Sequence, residues 1–260
     1  MPLIFKTHAL TDLGLQREGN EDAALVSSSI IAVADGMGGH AGGEVAASIA
    51  IKALADLIPV FSDKNIDRDS KEDLLLNLPF EIDQQISERS KVEPELSGMG
   101  TTLTALYLAD KTVQLLHIGD SRCYAISNGK LKQLSYDHTV MQELIDQGRL
   151  TQDEVANHPQ RSLLTQALMG DSGIDPILLV HEVNVGDQFL LCSDGLTGFL
   201  SDLEISKLIK KFEGDGLLGQ LLEATKAKGA PDNVTILIAE IVDAKDDGQI
   251  ELIGAANELN

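Results

Sequence analysis

The chain has 260 residues, enough for one large domain or two small ones, and enough to bury a core without disulfide or metal staples. Twenty Lys and Arg against 41 Asp and Glu give a formal net charge of −21, which argues against nucleic acid and against anionic membrane surfaces as partners. Hydrophobic residues make up 43%, so this is not the acidity of a disordered chain. It reflects either a solvated surface or carboxylates gathered around cations, and the total alone favours the surface.

The predicted elements follow in chain order. Residues 4–9 and 24–28 read as weaker strands, and residues 30–34 as a strong one. Helical periodicity covers residues 43–57 and 71–89. Strands are predicted at 102–108, 113–118 and 122–126, with a hairpin turn at Ser127-Asn128-Gly129-Lys130. A helix at 140–147, a strand at 188–192, helices at 203–212 and 217–228, and a strand at 234–241 complete the set. A doubly wound sheet would alternate strand and helix throughout, and this order does not. It predicts antiparallel sheet layers covered by helices. No repeat is visible and no Pro/Gly/Ser-rich linker divides the chain, so one domain is expected.

Residues 138–175 are polar, with two short helical patterns and the turn His158-Pro159, and read as a surface insertion. The tail after Val242 carries Asp243, Asp246, Asp247, Glu251 and Glu258 against Lys245, and is expected to be a loosely held terminus. Cys123 and Cys192 have neither CxxC nor zinc spacing, and read as buried free thiols in a reducing cytosol. The first ten residues show no apolar leader, and no run reaches 18 apolar residues, so neither a signal peptide nor a transmembrane helix is expected.

The chemistry lies in a recurrent Asp beside strand ends. Asp35-Gly36 follows Ile31-Ala32-Val33-Ala34, Asp120 follows Ile118-Gly119, and Asp194-Gly195 follows Leu191-Cys192-Ser193. Asp232-Asn233 precedes the last strand. One such Asp is ordinarily a turn or a helix cap. Four in one chain point further, because a carboxylate beside a buried strand is costly unless something neutralises it. Carboxylates and carbonyls are hard oxygen ligands, so Mg²⁺ or Mn²⁺ is expected rather than Zn²⁺. Two such ions can activate water and stabilise a phosphoester under attack. Arg17-Glu18-Gly19-Asn20-Glu21-Asp22 adds acid and an Arg suited to two-pronged phosphate contact.

A rival reading rests on Gly36-Met37-Gly38-Gly39-His40-Ala41. It matches a dinucleotide-binding glycine fingerprint, with Asp56 twenty residues beyond Gly36. Three features weaken it. Asp35 would set negative charge beside a pyrophosphate, the next clear strand comes only near Thr102, and the later Asp sites stay unexplained.

Seven short motifs in order resemble the metal-dependent Ser/Thr protein phosphatases of the 2C type, especially the short bacterial branch. They are Arg17-x-x-Asn20-Glu21-Asp22, Val33-Ala34-Asp35-Gly36-Met37-Gly38-Gly39-His40, Gly98-Met99-Gly100-Thr101-Thr102 and His117-Ile118-Gly119-Asp120-Ser121-Arg122. Asp137-His138-Thr139, Leu191-Cys192-Ser193-Asp194-Gly195-Leu196 and Asp232-Asn233-Val234-Thr235 follow. Each is weak alone; together they span residues 17–237.

The resemblance implies an α+β fold, an αββα four-layer sandwich of two antiparallel sheets flanked by helices. It implies a catalytic domain at residues 1–243, a small flap at about 139–173 and an acidic tail at 244–260. Asp35 would bridge two Mn²⁺ or Mg²⁺ ions, Asp194 and Asp232 would complete one, and Glu21 and the Gly36 carbonyl would serve the other. A third, weaker ion would use Asp120 with Asp194. Arg17 matches the phosphate-binding Arg, Asp22 a carboxylate that orients metal-bound water, and Asn233 an inner support.

The implied reaction hydrolyses phosphoserine and phosphothreonine by a metal-bridging hydroxide, without a phosphoenzyme. Many eukaryotic members carry His where this chain has Met37, so proton donation falls to His40 or to a metal-bound water. The implied setting is a cytoplasmic monomer acting on phosphorylated proteins, opposed by a Ser/Thr kinase. The competing class is an inactive family member serving as a binding module, which the intact acidic set disfavours.

Overall fold

Continuous apolar runs in this chain become strands buried on both faces. In β3 (Ile30–Ala34), Ile30, Ala32 and Ala34 join one core cluster while Ile31 and Val33 join another. This is the period-two geometry of a strand covered on both sides. β12 (Val234–Asp243) behaves alike, with Val234, Ile236 and Ile238 in one cluster and Leu237, Ala239 and Ile241 in another. The computed structural model describes residues 1–38, 42–151, 154, 158, 162–171, 173–246 and 248–258.

Two antiparallel sheets carry the fold. The first has the order β1 (Leu3–Asp12), β12, β11 (Gln188–Cys192), β8 (Arg122–Ser127), β9 (Lys130–Gln133). The second runs β10 (Ile177–Glu182), β7 (Thr112–Ile118), β6 (Leu103–Ala109), β3, β2 (Ala23–Ser27), β13 (Ile250–Gly254). A two-residue ribbon, β4 (Gly36–Met37) with β5 (Gly100–Thr101), sits beside them.

Among the described residues three core clusters separate four layers. One lies between the sheets, built on Phe5, Leu106, Leu115, Phe189 and Leu191. A second joins the β3 sheet to α1 (Gly42–Asp56) and α3 (Arg68–Val92), with the short α2 (Ile58–Ser62) between these helices. In α1 the residues Ala46, Ala47, Ala50, Ile51 and Leu54 form the buried stripe expected of an amphipathic helix. The third cluster joins the β12 sheet to α6 (Asp202–Ile209) and α7 (Gly214–Lys226). These layers match the expected αββα sandwich.

Helix starts follow local chemistry. Thr139 caps α4 (Val140–Asp146), Asp67 caps α3, and Ser201 with Glu204 forms a capping box on α6. The hairpin at Asn128-Gly129 forms as predicted, with both residues at positive φ joining β8 to β9. The run Gly42–Ser62 has the length and composition to cross a membrane, but its apolar stripe belongs to the core.

Part of the expected loose terminus is ordered instead. Residues 250–254 pair with β2 as an edge strand, and the following α8 (Ala255–Glu258) buries Ala255 and Ala256 against α1. The Ala255 amide donates to the Asp22 carbonyl at 2.9 Å, so this segment also holds the chain beside an acidic motif. Of the two helical patterns in the predicted insertion, the first forms α4. The second, with Pro159 of the predicted turn, falls outside the described residues.

Candidate metal centre

Antiparallel pairing decides where the acids go. The end of β3 lies against the start of β2, with Ala34 opposite Ala23, so Asp35 meets Glu21 and Asp22. The end of β7 lies against the start of β6, with Ile118 opposite Leu103, which brings in Asp120. The end of β11, the start of β12 and the end of β1 align likewise, delivering Asp194 and Asp232. All these termini fall at one end of the sandwich. Asp194 opens the short α5 (Asp194–Thr197).

Close backbone approach completes the arrangement. A Cβ on Gly36 would collide with the carbonyls of Gly43 and Glu21, so glycine there lets the β3 end, the α1 entry and the Glu21 strand meet. A Cβ on Gly195 would collide with the Asn233 carbonyl. Gly36 and Gly195 each follow a predicted ligand, which gives the Asp-Gly repeat a steric reason.

Hydrogen bonds fix each segment. The Asp35 amide donates to Thr102 Oγ1 at 3.0 Å, while its carbonyl accepts from the Thr101 hydroxyl at 3.0 Å and the Thr102 amide at 2.9 Å. Thr101 and Thr102 therefore hold backbone rather than supply chemistry. Asn233 Oδ1 accepts from the Glu21 amide at 2.8 Å, and its Nδ2 donates to the carbonyls of Leu13 and Gly19. This makes Asn233 the internal support expected of it. Asp22 is buried and accepts the Ser193 hydroxyl at 2.8 Å. That same Ser193 oxygen accepts the Thr235 amide at 3.0 Å. Asn20 Nδ2 donates to Thr11, whose hydroxyl lies 2.7 Å from that of Thr235.

The sequence reading missed Thr11, Ser193 and Thr235 as site supports. The signal available for two of them was a hydroxyl residue within a ligand motif, Ser193 before Asp194 and Thr235 after Asp232. Thr11 carried none.

Arg17 lies at the rim. Its Nε is 2.9 Å from Asp232 Oδ1, its Nη2 donates to Asp232 Oδ2 at 3.0 Å, and its Nη1 reaches Glu21 Oε2 at 3.4 Å. Deeper in, charge accumulates. Burial holds Asp35 well above the usual carboxylate range, and Asp22, Asp194, Asp120 and Asp232 push it further. Asp120 is raised by burial, then by Asp194 and Asp137. Asp22 is pushed up to about 7 by burial, although hydrogen bonds from Thr235 and Ser193 pull the other way. Burial also raises Glu21, with Arg17 opposing and Asp232 and Glu44 adding.

Two like charges 4 Å apart at an effective dielectric of 20 repel by about 4 kcal/mol. The cluster therefore cannot ionise fully without added positive charge. Every side-chain donor is a hard carboxylate oxygen, which fits divalent Mg²⁺ or Mn²⁺. Among the described residues no three such groups already lie close enough to enclose an ion. His40 lies outside the described residues. Met37 sits on β4 opposite Gly100.

Beside Asp120, His138 clasps the turn from both sides. Its amide donates to the Gly119 carbonyl at 2.8 Å, and its Nδ1 accepts from the Gly119 amide at 3.0 Å. Arg122 donates to both oxygens of Asp137. Cys123 and Cys192 are free and buried, as the sequence implied, and they fall in different core clusters. Burial raises both thiols, Cys192 to about 12, so neither is a nucleophile.

Fold and acid pattern together define a four-layer phosphatase-type sandwich with a carboxylate centre at one end. A family model for protein phosphatase 2C matches residues 18–227, and the chain belongs to that family. The serine/threonine protein phosphatase PstP of Mycobacterium tuberculosis is 41% identical over 244 residues, covering 93% of this chain and 46% of that protein. The chain thus spans about half the length of that curated relative. The serine/threonine phosphatase stp of Listeria monocytogenes is 33% identical over 236 residues, covering 88% of this chain and 93% of that protein.

The structure agrees. The PstP catalytic domain solved with two manganese ions superposes with a TM-score of 0.81 at 38% identity, covering 93% of this chain and 100% of that one. Stp1 of Staphylococcus aureus superposes with a TM-score of 0.84 at 31% identity, covering 92% and 96%.

Proposed function

We propose that this protein is a divalent-metal-dependent phosphatase that removes phosphate from phosphoserine and phosphothreonine in proteins. The observation that carries this reading is the convergence of Glu21, Asp35, Asp120, Asp194 and Asp232 at one end of the sandwich, with Arg17 at its rim. Asp35 would be a ligand to both ions of a two-ion site. Asp194 and Asp232 would hold one, Glu21 and the Gly36 carbonyl the other, and Asp120 with Asp194 a weaker third. Mn²⁺ is the favoured ion, since a related catalytic domain holds two manganese ions; Mg²⁺ shares the same ligand chemistry.

When bound, the ions supply an activated water and offset charge on the phosphoryl oxygens. The protein's own groups do the rest. Arg17 presents a planar two-pronged donor to the phosphate at the rim. Asp22, fixed by Ser193 and Thr235, orients water through its carboxylate. Met37 carries no exchangeable proton, so donation to the leaving oxygen falls to His40 or to water in the site. Signalling opposed to a Ser/Thr kinase, in the cytoplasm and as a monomer, is part of the same reading.

The test is turnover of p-nitrophenyl phosphate and of a phosphothreonine peptide, with and without Mn²⁺. Manganese-dependent hydrolysis of both is expected. Absence of turnover with metal present would favour the binding-module alternative.

A further inference from the structure

A cavity of about 590 Å³ runs between the flap helix α4 and the segment from Thr197 to Glu204. Asp120 and Asp194 line it, so it is continuous with the acidic centre. Its size matches pockets that enclose drug-sized ligands, and therefore a few residues of an extended peptide. Its walls combine two chemistries. Met141, Ile145, Leu200 and Leu203 supply apolar surface, while Asp137, Asp202 and Glu204 supply acid.

Among the described residues two cations also line the cavity, Arg122 and Lys228, and both are engaged. Arg122 forks onto Asp137, and Lys228 donates to Glu204 at 2.7 Å. Asp202 accepts the Tyr124 hydroxyl at 3.1 Å and forms no ion pair among the described residues. The cavity thus keeps excess negative charge beside apolar wall. That combination suits a long side chain with an aliphatic stem and a cationic head.

We infer that this cavity is a specificity subsite for a phosphoprotein substrate, seating a Lys or Arg that flanks the phosphorylated residue. The inference rests on the phosphatase reading and goes beyond it by naming a sequence preference and the residues that set it. Asp202 attracts the cationic head, and Ile145 and Leu203 cover the stem. The phosphate itself remains at Arg17 and the carboxylate centre. Overall acidity of the chain would draw any basic peptide closer, but it would not distinguish one flanking position from another.

The experiment compares kcat/KM with Mn²⁺ on phosphothreonine peptides carrying Lys, Ala or Glu at each of three positions on either side. Lys should be favoured over Glu by about tenfold at one or two positions only, the size of one desolvated charge contact. Two variants add positive charge from opposite walls, Asp202→Lys on α6 and Gln142→Lys on α4. Loss of most of the positional preference in either variant supports the assignment, provided turnover of p-nitrophenyl phosphate stays within about twofold. That substrate is too small to fill the cavity and reports the centre alone.

A preference absent at every position, or unchanged in both variants, overturns the subsite while leaving the phosphatase reading intact. No turnover of p-nitrophenyl phosphate by the parent with Mn²⁺ overturns both.

Discussion

The rim and the floor of the centre meet the same electrostatic problem differently. At the rim, Arg17 forks onto Asp232 and reaches Glu21, so two carboxylates have a cation from the chain itself. On the floor, Asp22, Asp35 and Asp120 form no ion pair among the described residues, and burial drives their protonation upward. The rim thus has part of its negative charge offset by the chain's own cation. The floor needs charge from outside, which is where divalent ions would act. The acids of the centre are therefore not equivalent, and stability and activity should separate along this line.

The largest separation is expected for Asp35→Asn. Its backbone bonds to Thr101 and Thr102 do not involve the carboxylate, so the fold should survive. Turnover with Mn²⁺ should fall by about 10²–10³-fold, the scale for removing one preorganised electrostatic group. Stability should move the opposite way in chelator. Asp35 has a folded proton affinity above its ordinary one, so at neutral pH its charge opposes folding. Asp35→Asn should then melt above the parent in EDTA and below it with saturating Mn²⁺. A parent that Mn²⁺ leaves unstabilised would break the contrast, because a ligand at 100 times its Kd adds about 2.7 kcal/mol.

At the rim, Arg17→Ala should raise KM for a phosphopeptide about tenfold with a smaller change in kcat, and Arg17→Lys should restore only part of the loss. Its effect on stability should stay below about 1 kcal/mol, since Arg17 is 43% exposed and solvent screens its pairing. A larger stability loss than that of any floor variant would reverse the roles assigned to the two edges.

Asp120→Ala tests the boundary of the floor. It should slow turnover about tenfold and remove the weakest ion from a calorimetric titration while leaving two bound. Loss of all binding would merge Asp120 with the inner set.

Much of this division was legible in the sequence, for a physical reason. The acids adjoin strands buried on both faces, and such strands announce themselves as apolar runs. Asp35, Asp120, Asp194 and Asp232 could therefore be placed at strand ends before any fold was known. The αββα layering came from motif resemblance, since element order alone left sheet pairing open. What stayed hidden depends on partners distant in sequence. Thr11 supports the site only because β1 pairs with β12 over ten residues, setting it opposite Thr235. β13 contains Glu251 within an acidic tail and becomes a strand only because β2 offers a free edge. β10 also escaped the sequence reading although it opens on the apolar run Ile177-Leu178-Leu179-Val180; it forms a sheet edge where Leu179 and Val180 are exposed.

The smallest expected effect comes from a neutral group beneath the floor. His117 is buried on β7, its ring stacked on His138 with centroids 5.1 Å apart. Its Nε2 lies 2.8 Å from the Tyr136 carbonyl, which can only accept, so the ring proton sits on Nε2. Burial pushes its pKa down to about 3, with His138 adding and Asp137 opposing. Between the ordinary value near 6.5 and about 3, the unfolded chain binds a proton there that the folded chain does not. Stability from this site is therefore complete above pH 6.5 and declines as pH falls, with a slope of about 1.4 kcal/mol per pH unit. The floor carboxylates slope the other way, because their folded proton affinities are raised. Urea unfolding in EDTA from pH 4.5 to 6.5 should accordingly show parent stability falling as pH rises, less steeply than the floor carboxylates alone would give. His117→Gln retains a donor toward Tyr136 and cannot titrate, so its stability should fall more steeply with rising pH than the parent's. Parallel curves for the two proteins would mean that the imidazole is already protonated in the fold, and that the floor is less starved of positive charge than its carboxylates imply.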